Sequence, residues 1–499
     1  MARKGLAPAV AGLIGLVALA APRTTAAQVG AGDRGAEQLR RENRISELQR
    51  LELDRRLRAN RDIPPGQRLL FDYGGYVTGN YLSLDDSAND NHVLREYDAI
   101  GYVRLNVDGA QELFVAGRIG YQDFHAGDSF SGRGDEPIDG DLYRGYYRFD
   151  LRRFRQAYGG AGAAGSGDFN LTGQAGRDLV YWGNGLAMAQ VIDGGVLDLE
   201  YGKLNLELIA GVTPVRTVDI DSSRPGFDYN TRRGFYGALL SADLSPHHPF
   251  VYYLSQRDYN GNDVRQIGAI TTRYEYDSFY LGGGSTGQIT DRLRYGVEAV
   301  YEFGNTLSNS FELVGFGLVP IEQTRDAIVS GAIDVRLDYL VADPADTRVS
   351  AEAILATGDD DRGHTSNTFA GNAPGTEDNA FNAFGLVNTG LAFAPDVSNI
   401  AVLRVGASTF PFHHVGPLRR LQVGGDFFAF GKFDEDAPID ETTSTGQQFL
   451  GFEPDLYLNW EVTSDVTLAV RYGAFFPNAS AFPLDDVRHF FFAGVTFAF

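Results

Sequence analysis

The sequence has 499 residues, 43 Lys plus Arg against 65 Asp plus Glu, a formal net charge of −22 and no cysteine. The absence of cysteine excludes a disulfide-stapled exported scaffold and any thiolate metal centre, and the acidic balance excludes a surface built to bind nucleic acid. With 25 Tyr, 34 Phe and 61 Gly, and no apolar run of about 20 residues, the chain reads as strands rather than membrane-spanning helices.

The chain begins with the basic segment MARKG, followed by LAPAVAGLIGLVALAAP, a run too short and too broken by Gly and Pro for a membrane helix. Thr25 and Ala27 stand at the −3 and −1 positions of a cut after Ala27, so residues 1–27 read as a secretory signal peptide. Residues 28–66 form a polar segment and linker. Within it AEQLRRENRISELQRLELDRRLRANRD, dense in Arg and Glu and rich in good helix formers, predicts a short periplasmic helix ended by Pro64 and Pro65. Its thin apolar stripe (Ile45, Leu48, Leu51, Leu53, Leu57) suits either a solvated helix or a small coiled coil, which leaves monomer and trimer both open.

From residue 67 to 499 strand-like runs alternate with loops rich in Gly, Asp, Asn and Pro. Runs of period-two character include 69–82, 92–108, 110–124, 141–155, 292–304, 326–340, 346–357, 399–410, 418–432, 466–477 and 488–499. In DRLRYGVEAVYEF, Leu293, Tyr295, Val297, Tyr301 and Phe303 oppose Arg292, Arg294, Glu298 and Glu302. The apolar faces carry Tyr and Phe near the strand ends, as an interfacial girdle requires, and the polar faces carry both signs of charge, which suits water better than a dry core. An open sheet edge is intolerable in lipid. The expected fold is therefore all-β: a closed antiparallel transmembrane β-barrel of about eighteen strands, between about 16 and 20.

Connections sort into tight turns, such as VDGA (107–110), LSPHHP (244–249) and VTSD (462–465), and long acidic loops, which hold much of the negative charge. The chain ends on HFFFAGVTFAF, where Phe491, Ala493, Val495, Phe497 and Phe499 share one apolar face. That face suits outer-membrane lipid, and the strand is expected to close the barrel against residues 69–82. Phe499 resembles the C-terminal signal read by barrel-assembly machinery.

Several blocks resemble the alginate-export family of outer-membrane porins. GRDLVYWGNGLAMAQVIDGGVLDLEYGKLNLELIAG (176–211) is similar to the family's Gly-Arg-Gln strand, the loop after it and the Asp-Gly turn into two further strands, with Gly176 and Arg177 matching and Asp178 in the third place. RVSAEAILATGDDD (348–361), NIAVLRVGASTF, LQVGGDFFAF and GFEPDLYLNWEVTSDVTLAVRYGAFFPN, with its Tyr472 to Pro477 segment, extend the resemblance over about half of the barrel region. The resemblance implies a barrel in the bacterial outer membrane that conducts an anionic polysaccharide.

In such a lumen the working parts are the charges of the polar faces. Arg104, Arg118, Arg144, Arg148 and Arg152 fall in consecutive strands and are expected to form a basic ladder; Arg177, Arg292, Arg294, Arg336, Arg348, Arg404, Arg420 and Arg471 continue the set. Guanidinium pairs with carboxylates through two parallel hydrogen bonds. Glu96, Asp98, Glu112, Glu298 and Asp334 face the same lumen and are expected to brace most of the set, leaving a minority exposed to cargo. No catalytic, phosphate-binding or zinc motif occurs, so neither an enzyme nor a cofactor is expected. GDDD (358–361) reads as a solvated acidic loop in preference to a Ca²⁺ site. The expected function is an outer-membrane channel passing anionic polysaccharide or other polar solutes by passive diffusion. A general or sugar-selective porin, and an adhesive barrel tethered through its helix, are the alternatives.

Overall fold

The computed structural model describes residues 69–125, 134–158, 169–221, 224, 226–227, 229–261, 263–314, 317–362 and 371–499; the signal peptide and helix assigned to 1–66 lie outside the described residues. The first strands are β1 (Leu70–Asp85), β2 (Asn91–Val107), β3 (Gln111–Phe124) and β4 (Glu136–Asp150), followed by one helix, α1 (Leu151–Tyr158). Next come β5 (Phe169–Tyr181), β6 (Ala189–Tyr201), β7 (Leu204–Val212), β8 (Arg233–Ala242) and β9 (His247–Asp258). A hairpin of β10 (Val264–Ile267) and β11 (Ile270–Arg273) precedes β12 (Tyr276–Gln288) and β13 (Leu293–Leu307). A second hairpin, β14 (Phe311–Val314) and β15 (Gly317–Pro320), precedes β16 (Arg325–Leu340) and β17 (Arg348–Ala356). The last strands are β18 (Ile400–Thr409), β19 (Leu421–Gly431), β20 (Phe449–Glu461), β21 (Val466–Pro477) and β22 (Arg488–Ala498).

All but the four hairpin strands belong to one closed, antiparallel sheet of 18 strands, each paired with the next in sequence. The period-two pattern that predicts these strands also sets their faces. Along β2, Glu96, Asp98, Ile100, Tyr102 and Arg104 are buried inside the barrel, while Tyr97 and Val103 are exposed on its outside. On β22 the same alternation buries Phe490 and Phe492 and exposes Val495 at 48% and Phe497 at 50%. The seam joins β1 to β22 in register from Tyr76↔Ala498 to Leu84↔Phe490. Gly75 and Phe499 finish it with two reciprocal backbone hydrogen bonds of 3.1 and 3.0 Å. A side chain at Gly75 would sit 2.4 Å from the Ile100 carbonyl, so this close approach requires glycine.

The short turns after β2, β6, β8, β12 and β20 lie at one end of the barrel, together with the start of β1 and the end of β22. The long connections 213–232, 259–275, 308–324, 357–399 and 432–448 lie at the other.

Two features depart from the expected barrel. The strand predicted over 141–155 stops at Asp150, and Arg152 lies on α1 instead of in the wall. Asp150 is a favoured helix N-cap, and its carboxylate accepts the Arg153 amide at 3.0 Å, which starts the helix there. In addition, β4 and β5 pair only from Gly145↔Arg177 to Asp150↔Thr172.

Deleting Phe499 removes both seam bonds, each worth about 1 kcal/mol net. The expected outcome is a smaller fraction of compact, heat-modifiable barrel on unheated gels, and an unchanged fraction would mean that the seam closes without its last residue.

Candidate functional site

Two connections from the long-loop end turn into the barrel, and wall carboxylates hold them there. Residues 182–188 link β5 to β6. Glu298 on β13 accepts the amides of Asn184 at 2.6 Å and Leu186 at 3.3 Å and the hydroxyl of Tyr252 at 2.6 Å. The Asn184 side chain donates to Asp334 of β16 at 2.9 Å. Gly183 has φ +59°, and a Cβ there would lie 2.5 Å from the Glu298 carboxyl carbon, so the segment passes over the wall only as glycine.

The second connection is the loop after β17. Glu302, further along the same face of β13, accepts the Asn382 amide at 2.9 Å and the hydroxyls of Tyr276 and Ser330, both at 2.7 Å. Glu453 of β20 accepts three successive amides, Leu391, Ala392 and Phe393, at 2.6, 2.7 and 2.8 Å. The loop therefore spans from the β13 wall to the β20 wall. It meets the first segment through Ala189 N–H to the Phe384 carbonyl (2.7 Å) and Leu386 N–H to the Gly185 carbonyl (2.8 Å). Phe381, Phe384 and Phe393 pack with Trp182, Phe235, Phe428 and Phe475, so an apolar core lies inside the barrel around this bridge.

Nearer the loop's start, Arg362 donates to both oxygens of Asp378 at 2.7 and 2.6 Å. Asp359 stands 3.8 Å from the same guanidinium. Burial, with the Asp378 carboxylate nearby, pushes the Asp359 carboxyl up to about 6. Ligand oxygens of Asp359, Asp360 and Asp361 lie within 4.8 Å of one another, but Asp359 is already engaged by Arg362 and by the Asn379 amide at 3.2 Å.

Cavities flank the bridge. On the short-turn side, one is walled by Arg336, Arg348, Arg404 and Arg471 against Asp426 and Asp455, with Gln422, Asn459, Asn388 and Tyr457 completing the polar lining. These four arginines come from β16, β17, β18 and β21 and share the inner face. Arg404 pairs with Glu352 at 2.7 Å, Arg348 with Asp338 at 2.5 Å and Arg336 with Asp338 at 3.3 Å. Arg471 donates to Asn459 at 3.2 Å and lies over the Tyr457 ring. Arg294 lines an adjoining space with Arg336.

The remaining arginines are distributed elsewhere. Arg104 is held by Glu112 at 2.6 Å, Arg118 by Glu96 at 2.7 Å and Asp98 at 2.8 Å, and Arg144 by Asp178. These pairs brace the β2–β5 wall. Arg177 bonds Asp193 at 2.6 Å, and Arg152 pairs with Glu200 at 2.8 Å from α1. Arg148 is exposed on β4, Arg292 is exposed in the turn before β13, and Arg420 pairs with Glu461 in the turn before β19. Glu298 and Asp334 face inward but are occupied with the 182–188 segment. Sequence reasoning missed the bridge itself. Its signal was compositional: NAFNAFGLVNTGLAFAP (379–395) has no charged residue, although the same loop begins with GDDD.

The family described as Alginate export matches residues 177–481. The chain belongs to the alginate-export family. The match takes in both inward segments and all four arginines of the short-turn cavity. Among solved structures the chain is similar to OccAB1 of Acinetobacter baumannii (TM-score 0.51, 11% identity, 88% of this chain and 99% of that one). It is similar also to OccK11 (OpdR) of Pseudomonas aeruginosa (TM-score 0.50, 12% identity, 87% and 98%) and to OccK5 (OpdH) of the same organism (0.50, 10%, 86% and 98%). These likenesses concern the fold, an outer-membrane porin barrel. No curated protein matches the sequence. The alginate-export chain described here is thus an outer-membrane channel.

Two predictions concern the bridge. Glu453→Gln replaces a charged acceptor of three amides with a neutral one, at a cost of about 1 kcal/mol per bond. Limited proteolysis of the folded barrel is expected to cut within 371–399 faster than in the parent; equal cutting would mean that apolar packing alone holds the loop. Asp359 binds its proton more tightly folded, at about 6, than at its ordinary 3.8, so its contribution to stability rises as pH falls through that window and is unfavourable above it. Asp359→Asn should raise the unfolding temperature near pH 8, by an effect on the order of 2 kcal/mol, and the gain should shrink below about pH 6. A gain that does not vary with pH would contradict this.

Proposed function

We propose that this alginate-export channel conducts polar, anionic saccharide chains by passive diffusion, with the arginine wall of β16–β21 as the surface that recognises their carboxylates. The observation that carries the reading is the short-turn cavity, where four arginines face two aspartates. A uronate chain presents one carboxylate per residue, together with hydroxyls. Guanidinium forks suit the former, and the amides of Asn388, Gln422 and Asn459 suit the latter. The Tyr457 ring adds a flat face of the kind that sugar C–H groups pack against.

The bridge of 182–188 and 379–393 supports the same reading, because it forces any passing chain past this wall. Positive charge beside a narrow passage attracts anions and raises the barrier to cations. Nothing in the proposal couples transport to a fuel, so the direction of flow follows the solute gradient. Short turns then face the periplasm and long loops the exterior, as in bacterial barrels generally.

Replacing Arg336, Arg348 and Arg471 together with Gln tests the reading. Under a salt gradient in planar bilayers, the reversal potential is expected to move towards cation preference, whereas the same change at Arg104 and Arg144 should move it less. An unchanged potential in the first variant would overturn the arginine wall as the selective element.

A further inference from the structure

The barrel wall is incomplete between β4 and β5. Pairing stops at Gly145↔Arg177, yet β4 continues back to Glu136 and β5 forward to Tyr181. Over that stretch β4 keeps its bonds to β3, and β5 keeps its bonds to β6. The two strands part at Gly176, whose φ of +136° and lack of a side chain let it lie against the Gly145 carbonyl, 2.2 Å from where a Cβ would be. Arg177 spans the fork, donating to the Leu142 carbonyl at 2.7 Å, one of the edge groups that no strand takes up.

A cavity of about 310 Å³ occupies the gap. Its lining comes from both sides of the wall. Leu142, Leu179 and Val191 belong to the rim, while Leu186, Ala383 and Phe384 belong to the bridge inside the barrel. The lining is therefore continuous from the outer face, through the wall, to the lumen. Three arginines also reach it: Arg118, Arg177 and Arg216. The first two are engaged by wall acids, whereas Arg216 is exposed and has no partner among the described residues. Three acids line the cavity: Asp219, held between Arg224 and Arg233 at 3.0 and 2.7 Å, Asp141, 3.4 Å from Arg177, and Asp396 of the loop that carries the bridge.

We propose that this gap is a lateral binding site for an amphipathic carboxylate, an aliphatic chain of fatty-acid type with one anionic head. The chain lies across the apolar rim against Leu186 and Phe384, and the head pairs with Arg216. A polyuronate, charged at every residue, would set carboxylates against Leu142, Leu179, Leu186, Val191 and Phe384; a single carboxylate on a hydrocarbon leaves its chain against these groups and its charge for Arg216. The site is separate from the arginine wall on the other side of the bridge, so its failure would leave the channel's proposed cargo untouched.

Trp182 makes the test direct. The chain has two tryptophans, and Trp182, 1% exposed, begins the segment whose Leu186 lines the cavity. With Trp460→Phe as background, the barrel in nanodiscs of unbrominated phospholipid is titrated with 11-bromoundecanoate. The expected result is saturable quenching of Trp182, with a midpoint about tenfold weaker in Arg216→Ala, from the loss of one charge-assisted bond. Val191→Phe, which fills the rim, should abolish it; if that barrel does not assemble, Leu179→Phe serves the same purpose. Absent or non-saturable quenching overturns the proposal, as does equal quenching by 11-bromoundecanol or a midpoint indifferent to Arg216. Quenching of the same depth in nanodiscs of brominated phosphatidylcholine, without added acid, would assign the gap to bilayer lipid and overturn it too.

Discussion

The interior of this barrel depends on carboxylates that accept backbone amides. A loop that turns into a barrel carries N–H groups away from bulk water, and each must find an acceptor. Glu298, Glu302 and Glu453 supply those acceptors from the wall, and together they take the amides of Asn184, Leu186, Asn382, Leu391, Ala392 and Phe393. With the backbone satisfied, Phe381, Phe384 and Phe393 bury against the wall and make an apolar core where an unobstructed lumen would hold water. The same anchors fix where the passage narrows. Asn388 and Leu391 of the bridge line the same cavity as the four arginines, so the inward loop and that wall face one space.

Charge follows a similar division of labour. The net −22 belongs largely to the long loops and says little about the passage. On the β2–β5 wall nearly every arginine meets an acid at hydrogen-bond distance, and those pairs brace a wall exposed to water on one side and lipid on the other. On the β16–β21 wall four arginines share one cavity with Asp426 and Asp455, and three of them also pair with Glu352 or Asp338, so charges of both signs face the same space. Wall charges on this barrel thus have two distinct uses: bracing strands and holding loops.

The sequence made the strands legible because lipid outside and polar groups inside impose a strict period of two. Most predicted runs lie within a few residues of the observed ones, and the closing strand pairs with β1 as its apolar face implied. The run 151–155 was illegible for a local reason. Alternating aromatic and Arg residues fit a strand, but Asp150 caps a helix, a choice decided by one hydrogen bond. The placement of Arg336, Arg348, Arg404 and Arg471 in one cavity was not legible either, since period two gives the face and not the height or the neighbours. The roles of Glu298, Glu302 and Glu453 depend on a loop more than sixty residues away in the case of Glu453, a tertiary contact that no local pattern encodes.

The central claim is that the passage prefers anionic saccharides because of its arginine wall. Single-channel current recorded with oligouronates and with neutral oligosaccharides of equal length, each added as a blocker, tests it most directly. The account predicts block by the oligouronates at much lower concentration, weakening as salt is raised. Equal block by both series, indifferent to salt, would contradict it.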